Sequence, residues 1–215
     1  MEQSPISPNS LDKQRQIIDA AKRVLVRDGL DACTARAIAD ASPLTKSAIH
    51  YYFDSVEKIV DEAMTALLDE ALEHMRQSGT RAADPADRFL AMAQDYLHTF
   101  AEPPGYAVLW LAYWAQVAQQ GRTDTIRRFQ SAISEMLAEA LRDAGVEDPQ
   151  VGARAAFSYL VGATIRMEAD PATFDQVISE LSRLCGIRIP DSRDASATIQ
   201  KTDNERVEPG AALTE

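Results

Sequence analysis

Apolar residues recur along most of this chain at steps of three and four, the spacing of a helix with one buried face. Over residues 11–27 the stripe is Ile17, Ala20, Ala21, Val24 and Leu25, and Gly29 supplies the stop. Thr34 opens a short helix carrying Ile38 and Ala39, which Ser42-Pro43 ends. Thr45 caps another short helix, with Ala48, Ile49 and Tyr52 on its apolar side. Asp54 or Ser55 then caps a long helix over residues 56–77, with Ile59, Ala63, Leu67 and Leu72 inward and Glu57 or Lys58 completing the cap. Pro85 opens a helix with Phe89, Met92, Ala93, Tyr96 and Phe100 on one side, broken at Pro103-Pro104-Gly105. An aromatic helix to Gln119 follows, and helices over 123–144, 149–168 and 171–185 complete the series. No segment alternates as a sheet strand does, so the pattern predicts an all-α fold.

Four segments are expected. Residues 1–10 form a flexible start, 11–60 a unit containing two short helices, 61–189 a larger helical bundle, and 190–215 a disordered acidic tail. The tail holds six acids against three bases and no aromatic residue, too little apolar surface to offset chain ordering.

Composition narrows the class. The 215 residues are 46% apolar and 26% charged, an ordinary globular balance. The first ten residues lack the build of a signal peptide, and the longest apolar run, residues 106–115, is about half a bilayer span. Cys33 and Cys185 cannot supply a disulfide framework or a four-ligand zinc site, and they fit a reducing cytosol. A cytoplasmic protein without membrane contact, metal or other cofactor is expected.

The region around the second short helix carries the most specific chemistry. Two short helices joined by a tight turn and packed on a longer one make a helix-turn-helix. Thr45, Lys46 and Ser47 place hydrogen-bond donors at the start of the second helix, where small side chains let it enter the major groove. Ile49 and Phe53 face the module's core, whereas His50 and Tyr51 point outward. The run Arg15-Gln16-Ile17-Ile18-Asp19-Ala20-Ala21, then Gly29-Leu30, then Thr34-Ala35-Arg36-Ala37-Ile38-Ala39, then His50-Tyr51-Tyr52-Phe53 resembles the DNA-binding domain of the TetR family of repressors over roughly residues 13–60. The chain departs from that pattern at Pro43, where the family usually has Gly, and at His50, where it favours Tyr. A third departure is Val56, where a Lys commonly touches phosphate, a loss that Lys58 partly replaces.

The resemblance implies that residues 11–60 are a helix-turn-helix DNA-binding domain and 61–189 a ligand-binding and dimerisation domain, and that double-stranded operator DNA is a partner, with Thr34, Arg36, Thr45, Lys46, Ser47, His50, Tyr51, Tyr52 and Lys58 as candidate contacts. In the carboxy-terminal body, Tyr106, Trp110, Tyr113, Trp114 and Val117 share one face, which is core packing or the wall of a ligand site. Candidate lining residues are Met64, Phe89, Met92, Tyr96, Trp110, Tyr113, Trp114, Phe129, Met136 and Tyr159. The Trp-x-x-Tyr-Trp of residues 110–114 and the basic helix after it are similar to the choline-sensing BetI branch. That similarity implies a small organic effector, a quaternary amine or polyamine among the candidates. Ala155, Tyr159, Gly162, Ala163, Phe174, Ile178 and Leu181 are candidates for a homodimer interface, where the family joins two subunits through its last helices.

Two other classes compete with a ligand-released dimeric repressor. One is a helical adaptor that has lost DNA binding. The other is an all-α metal carboxylate enzyme, for which Asp95-x-x-His98, Glu70, Glu73 and His74 are the raw material; three histidines without a repeated Glu-x-x-His do not furnish a di-metal bundle. No catalytic residue is assigned.

The net charge of −11 argues against a protein that coats polyanions, but it is unevenly spread. Residues 11–53 hold seven bases against five acids, whereas residues 61–189 hold eleven against nineteen. The acidity lies away from the helix expected to read DNA.

Overall fold

A computed structural model describes residues 8–101, 105–170 and 172–187. Among them are nine helices: α1 (Pro8–Asp28), α2 (Ala35–Asp40), α3 (Lys46–Tyr52), α4 (Val56–Thr80), α5 (Pro85–Ala101), α6 (Tyr106–Gln119), α7 (Asp124–Asp143), α8 (Pro149–Met167) and α9 (Phe174–Leu184). The described residues contain no strand. The expected breaker Pro103-Pro104, the expected helix start at Pro171 and the acidic tail lie outside the described residues.

The helix ends follow local chemistry. α1 begins at Pro8, three residues before the expected start and inside the segment read as flexible; proline lacks only an N–H that the first turn does not use. It ends where Gly29, at φ 84°, gives its N–H to the Leu25 carbonyl. Thr34, Thr45 and Ser55 cap α2, α3 and α4 through side-chain oxygens that accept from Ala37, Ala48 and Lys58 N–H, each at 3.2 Å. α4 runs three residues further than expected, to Thr80. α9 starts at Phe174, later than expected, because Thr173 and Gln176 close a reciprocal capping box there.

α1, α2 and α3 pack on one another around Ile17, Ala20, Val24, Ile38, Ile49 and Phe53. α4 leaves that unit, lies along α1, and continues between α5 and α7. The body stacks α5, α7, α8 and α9, with α6 laid over α5, α8 and α1. At 25 residues α4 is about 37 Å long at 1.5 Å per residue, so one rigid rod serves both the three-helix unit and the body. Among the described residues no helix is long and apolar enough to cross a membrane.

Candidate nucleic-acid interface and effector cavity

The α2–turn–α3 unit is held from behind. Arg23 of α1 donates to the Ala41 carbonyl at 2.6 Å, and Ile38, Ile49 and Phe53 are sunk in the core. The turn is closed by Ser42, whose hydroxyl oxygen accepts from Leu44 N–H at 3.1 Å, while Pro43 stays exposed. Such anchoring leaves the opposite face free. Thr34, Arg36, Thr45, Lys46, Ser47, His50, Tyr51 and Lys58 are all exposed, as the periodicity predicted for α3, while Tyr52 is half-buried against the core.

Tyr51 is 82% exposed, with its ring edge-on to Tyr52 at 5.0 Å between centroids. An aromatic held that far into solvent buries little within the chain beyond its edge contact with Tyr52. Thr45 accepts the α3 cap bond yet keeps its O–H to donate. Arg36 and Lys58 have only loose, exposed partners, Asp40 at 4.0 Å and Asp54 at 3.9 Å, contacts weak enough to exchange for phosphate. Val56 has a structural use: it packs against the core and lines the cleft with Leu30, Cys33 and Val60 where α6 meets the three-helix unit.

The ten residues expected to line a ligand site do not form one wall. Tyr96, Phe100, Phe129, Phe157 and Trp110 pack ring against ring at 4.6–6.1 Å between centroids, an aromatic core. Met64, Phe89 and Tyr113 are buried as well, and Trp114 packs on Trp110. Tyr159 sits on α8, donating to Glu180 of α9. Met92 and Met136 do line a cavity, of about 580 Å³, between the end of α4, α5 and α7. Its apolar floor adds Ala132 and Ala140, and its rim carries Arg76, Arg88, Glu135 and Glu139. Arg76 is paired with Glu73 at 2.6 Å and Arg88 with Asp143 at 2.9 Å, whereas Glu135 and Glu139 have no ion pair among the described residues.

The residues expected at a dimer interface divide by face. Ala163, Ile178 and Leu181 are already covered within one chain, at 2%, 5% and 0% exposure, and Tyr159 and Phe174 are half-buried. Ala155 and Gly162 are exposed, and they belong to a stripe that sequence reading did not isolate: Val151, Ala155, Ser158, Gly162 and Ile165, at steps of four, three, four and three along α8. Val151, Ile165 and Leu184 at the end of α9 leave large apolar side chains in solvent.

Also unanticipated is the polar contact set around Asp61. Its carboxylate accepts from the Tyr113 hydroxyl at 3.1 Å and pairs with Arg122. Burial, and then the Asp61 charge, push the Tyr113 hydroxyl up to about 12, so it stays protonated as a donor. Partners 52 and 61 residues apart carry no local spacing signal. The carboxylates of the metal-enzyme alternative are engaged elsewhere: Glu70 with Lys22, Glu73 with Arg76 and Gln77, Asp95 with Ser78. Among the described residues no three His, Cys, Asp or Glu side chains converge on a metal position.

Residues 17–63 match the family model of bacterial regulatory proteins of the tetR family, from the first core isoleucine of α1 through α2 and α3 into α4. The amino-terminal unit is thus similar to the DNA-binding domain of the tetR family. The nicotine-responsive transcriptional repressor HdnoR of Paenarthrobacter nicotinovorans is 32% identical over 92 residues, 43% of this chain and 45% of that protein. The transcriptional regulator BetI of Rhizobium meliloti is 25% identical over 116 residues, 54% and 56% of the two chains. The chain thus spans about half the length of these curated TetR-family relatives. The crystal structure of a TetR transcription regulator from Haloarcula marismortui superposes with a TM-score of 0.71 at 21% identity, covering 82% of this chain and 97% of that one. At that identity the likeness shows the fold, which extends well beyond the matched amino-terminal domain.

Proposed function

We propose that this chain is a TetR-family regulator: a cytoplasmic, homodimeric DNA-binding repressor that reads a near-palindromic operator and is released by a small organic molecule. The observation that carries the reading is the outer face of α3: its inner side is anchored by Ile49 and Phe53, while Lys46, Ser47, His50 and Tyr51 stand in solvent behind the Thr45 cap. A short helix held this way presents donors for base edges and phosphates. Two copies related by a twofold axis, with reading helices about 34 Å apart, enter successive major grooves. The exposed stripe of α8 with Leu184 supports the subunit contact.

The cavity holding Met92 and Met136 is the better effector site, since the aromatic core is filled by its own rings. Its volume suits a drug-sized ligand, and methionines adapt to varied shapes. Because both rim arginines are neutralised and Glu135 and Glu139 are not, an organic cation with an apolar body fits best. The nicotine-responsive relative is consistent with a small organic effector. α4 ends at this cavity and begins beside α3, so a ligand there acts on the rod that carries the reading helix.

The test is a gel shift with the DNA flanking the protein's own gene against excess competitor DNA, at stepped salt. Retention that falls steeply with salt is expected. Retention no better than competitor at every salt concentration overturns the proposal.

A further inference from the structure

α4 is tied to the α6–α7 corner by three polar rungs in register. Asp61 accepts from Tyr113 of α6 and pairs with Arg122 of the corner; Thr65 and Thr125 share a hydrogen bond at 3.2 Å; Arg128 of α7 reaches Asp69 at 3.4 Å. The α4 members are four residues apart and form one stripe, and Arg122, Thr125 and Arg128 are three apart and form the facing one. The corner itself is stiff. Gly121 turns at φ 70°, and Arg122 N–H donates to the Val117 carbonyl at 2.9 Å, so the Arg122 side chain is launched from a fixed backbone. On the other side of α4, Lys22 of α1 pairs with Glu70. The rod is thus gripped by the three-helix unit on one side and by the body on the other.

We propose that Asp61 is a positioning residue: through Arg122 and Tyr113 it sets the angle of α4, and hence of the reading helix, relative to the body. This rests on the DNA-reading function proposed above and adds a specific strut to it. Partly buried ion pairs do little for net stability, because desolvation offsets the attraction; what they contribute is direction and register. Apolar packing between α4 and α7 sets their separation, and hydrogen bonds at three successive turns add directional contacts that fix the register. Asp61 is the rung nearest α3, five residues past the first residue of α4, so a change of angle there is carried whole to the reading helix. The lower two rungs are weaker, a neutral pair and an exposed ion pair, which makes the Asp61 rung the one that holds the angle.

The test measures that angle directly. Spin labels at Asp40 and Glu147, both exposed, are introduced with Cys33 and Cys185 replaced by alanine and diluted with unlabelled protein, so that only distances within one chain are read. The unaltered strut should give one narrow distance distribution. Asp61→Asn, which keeps an acceptor for Tyr113 but loses the charge, and the shape-conserving Thr65→Val should each broaden it or shift its mean by about 2 Å, the scale of helix shifts in switching proteins. The charge exchange Asp61→Arg with Arg122→Asp should restore it. Leu160→Ala, a core change remote from the strut, controls for stability loss alone. An unchanged distribution in Asp61→Asn overturns the proposal, as does an equal broadening in Leu160→Ala. If operator binding fails while Asp61→Asn still broadens the distribution, the strut stands and the DNA-reading proposal falls.

Discussion

Gly162 lies in the interior of α8, in an ordinary helical conformation, and a Cβ built on it meets nothing within 4 Å. Glycine there costs about 1 kcal/mol of helix stability relative to alanine or leucine, and no contact within the chain compensates for that cost. Its neighbours on the same face are Ala155, Ser158 and Ile165, so the compensation is expected from a second α8 approaching closely across a twofold axis. Gly162→Leu separates the two environments. Within the protomer it should add somewhat under 1 kcal/mol, a rise of about 2 °C in the melting temperature for a chain of this size. Across the interface it forces a side chain into space that the partner's helix fills, and overpacking of that kind costs about 1–3 kcal/mol. That penalty raises the dimer Kd roughly ten- to a hundredfold. Sedimentation velocity over a concentration series reads the second effect, and urea unfolding of the dilute monomer the first. If the leucine variant melts higher and dimerises with an unchanged Kd, the α8 stripe faces solvent and the interface lies elsewhere.

Lys46→Ala should weaken operator binding and reduce the slope of log affinity against log salt by about 1, the signature of one lost phosphate contact; an unchanged slope in filter-binding titrations removes Lys46 from the backbone contacts. Thr45→Ala deletes the α3 cap and should cost about 1 kcal/mol in urea unfolding, with Thr45→Ser recovering most of it; equal losses in both variants tell against the cap. Burial raises the Cys33 and Cys185 thiols from an ordinary 9.0 to about 11, so the unfolded chain ionises first as pH rises. Stability should be intact below pH 9 and decline between about 9 and 11, and the Cys33→Ala, Cys185→Ala double variant should show a flatter decline there.

How far the fold could be read in advance depended on whether the signal was periodic. All nine helices of the described residues follow three-and-four spacing, because each buries one face against a single core. The reading face of α3 was legible for the same reason: Ile49 and Phe53 fix which side is inward, and that decides where Lys46, His50 and Tyr51 go. α8 defeats this logic. Ala155 points out and Ala156 in, Gly162 out and Ala163 in, and small residues on every face erase the contrast that marks a buried side. The aromatic stripe of α6 was ambiguous by nature, since rings that line a cavity and rings that fill a core share one spacing. Asp61 left no trace because its partners come from another helix and a corner, chosen by tertiary packing alone.

The placement of charge links the two halves of the molecule. The body's excess acids are not simply a solvated shell: Asp61, Asp69 and Asp143 are spent on Arg122, Arg128 and Arg88, and Glu70 on Lys22. Three of those pairs, all but Arg88–Asp143, lie where α4 meets its neighbours, so part of the acidity bears on the rod that follows α3. The unpaired remainder, Glu135 and Glu139 among it, stays on the body and repels a polyanion from that side. Under the proposed function, DNA is left one approach, through the three-helix unit with its slight basic excess. In the proposed dimer, affinity then comes from two correctly spaced half-sites rather than from charge, which ties binding to the angle of α4 in each subunit. The proposed regulator would then need little force to release: an effector turning the two rods by a small angle would remove the second half-site, leaving a weak electrostatic remainder to hold the first.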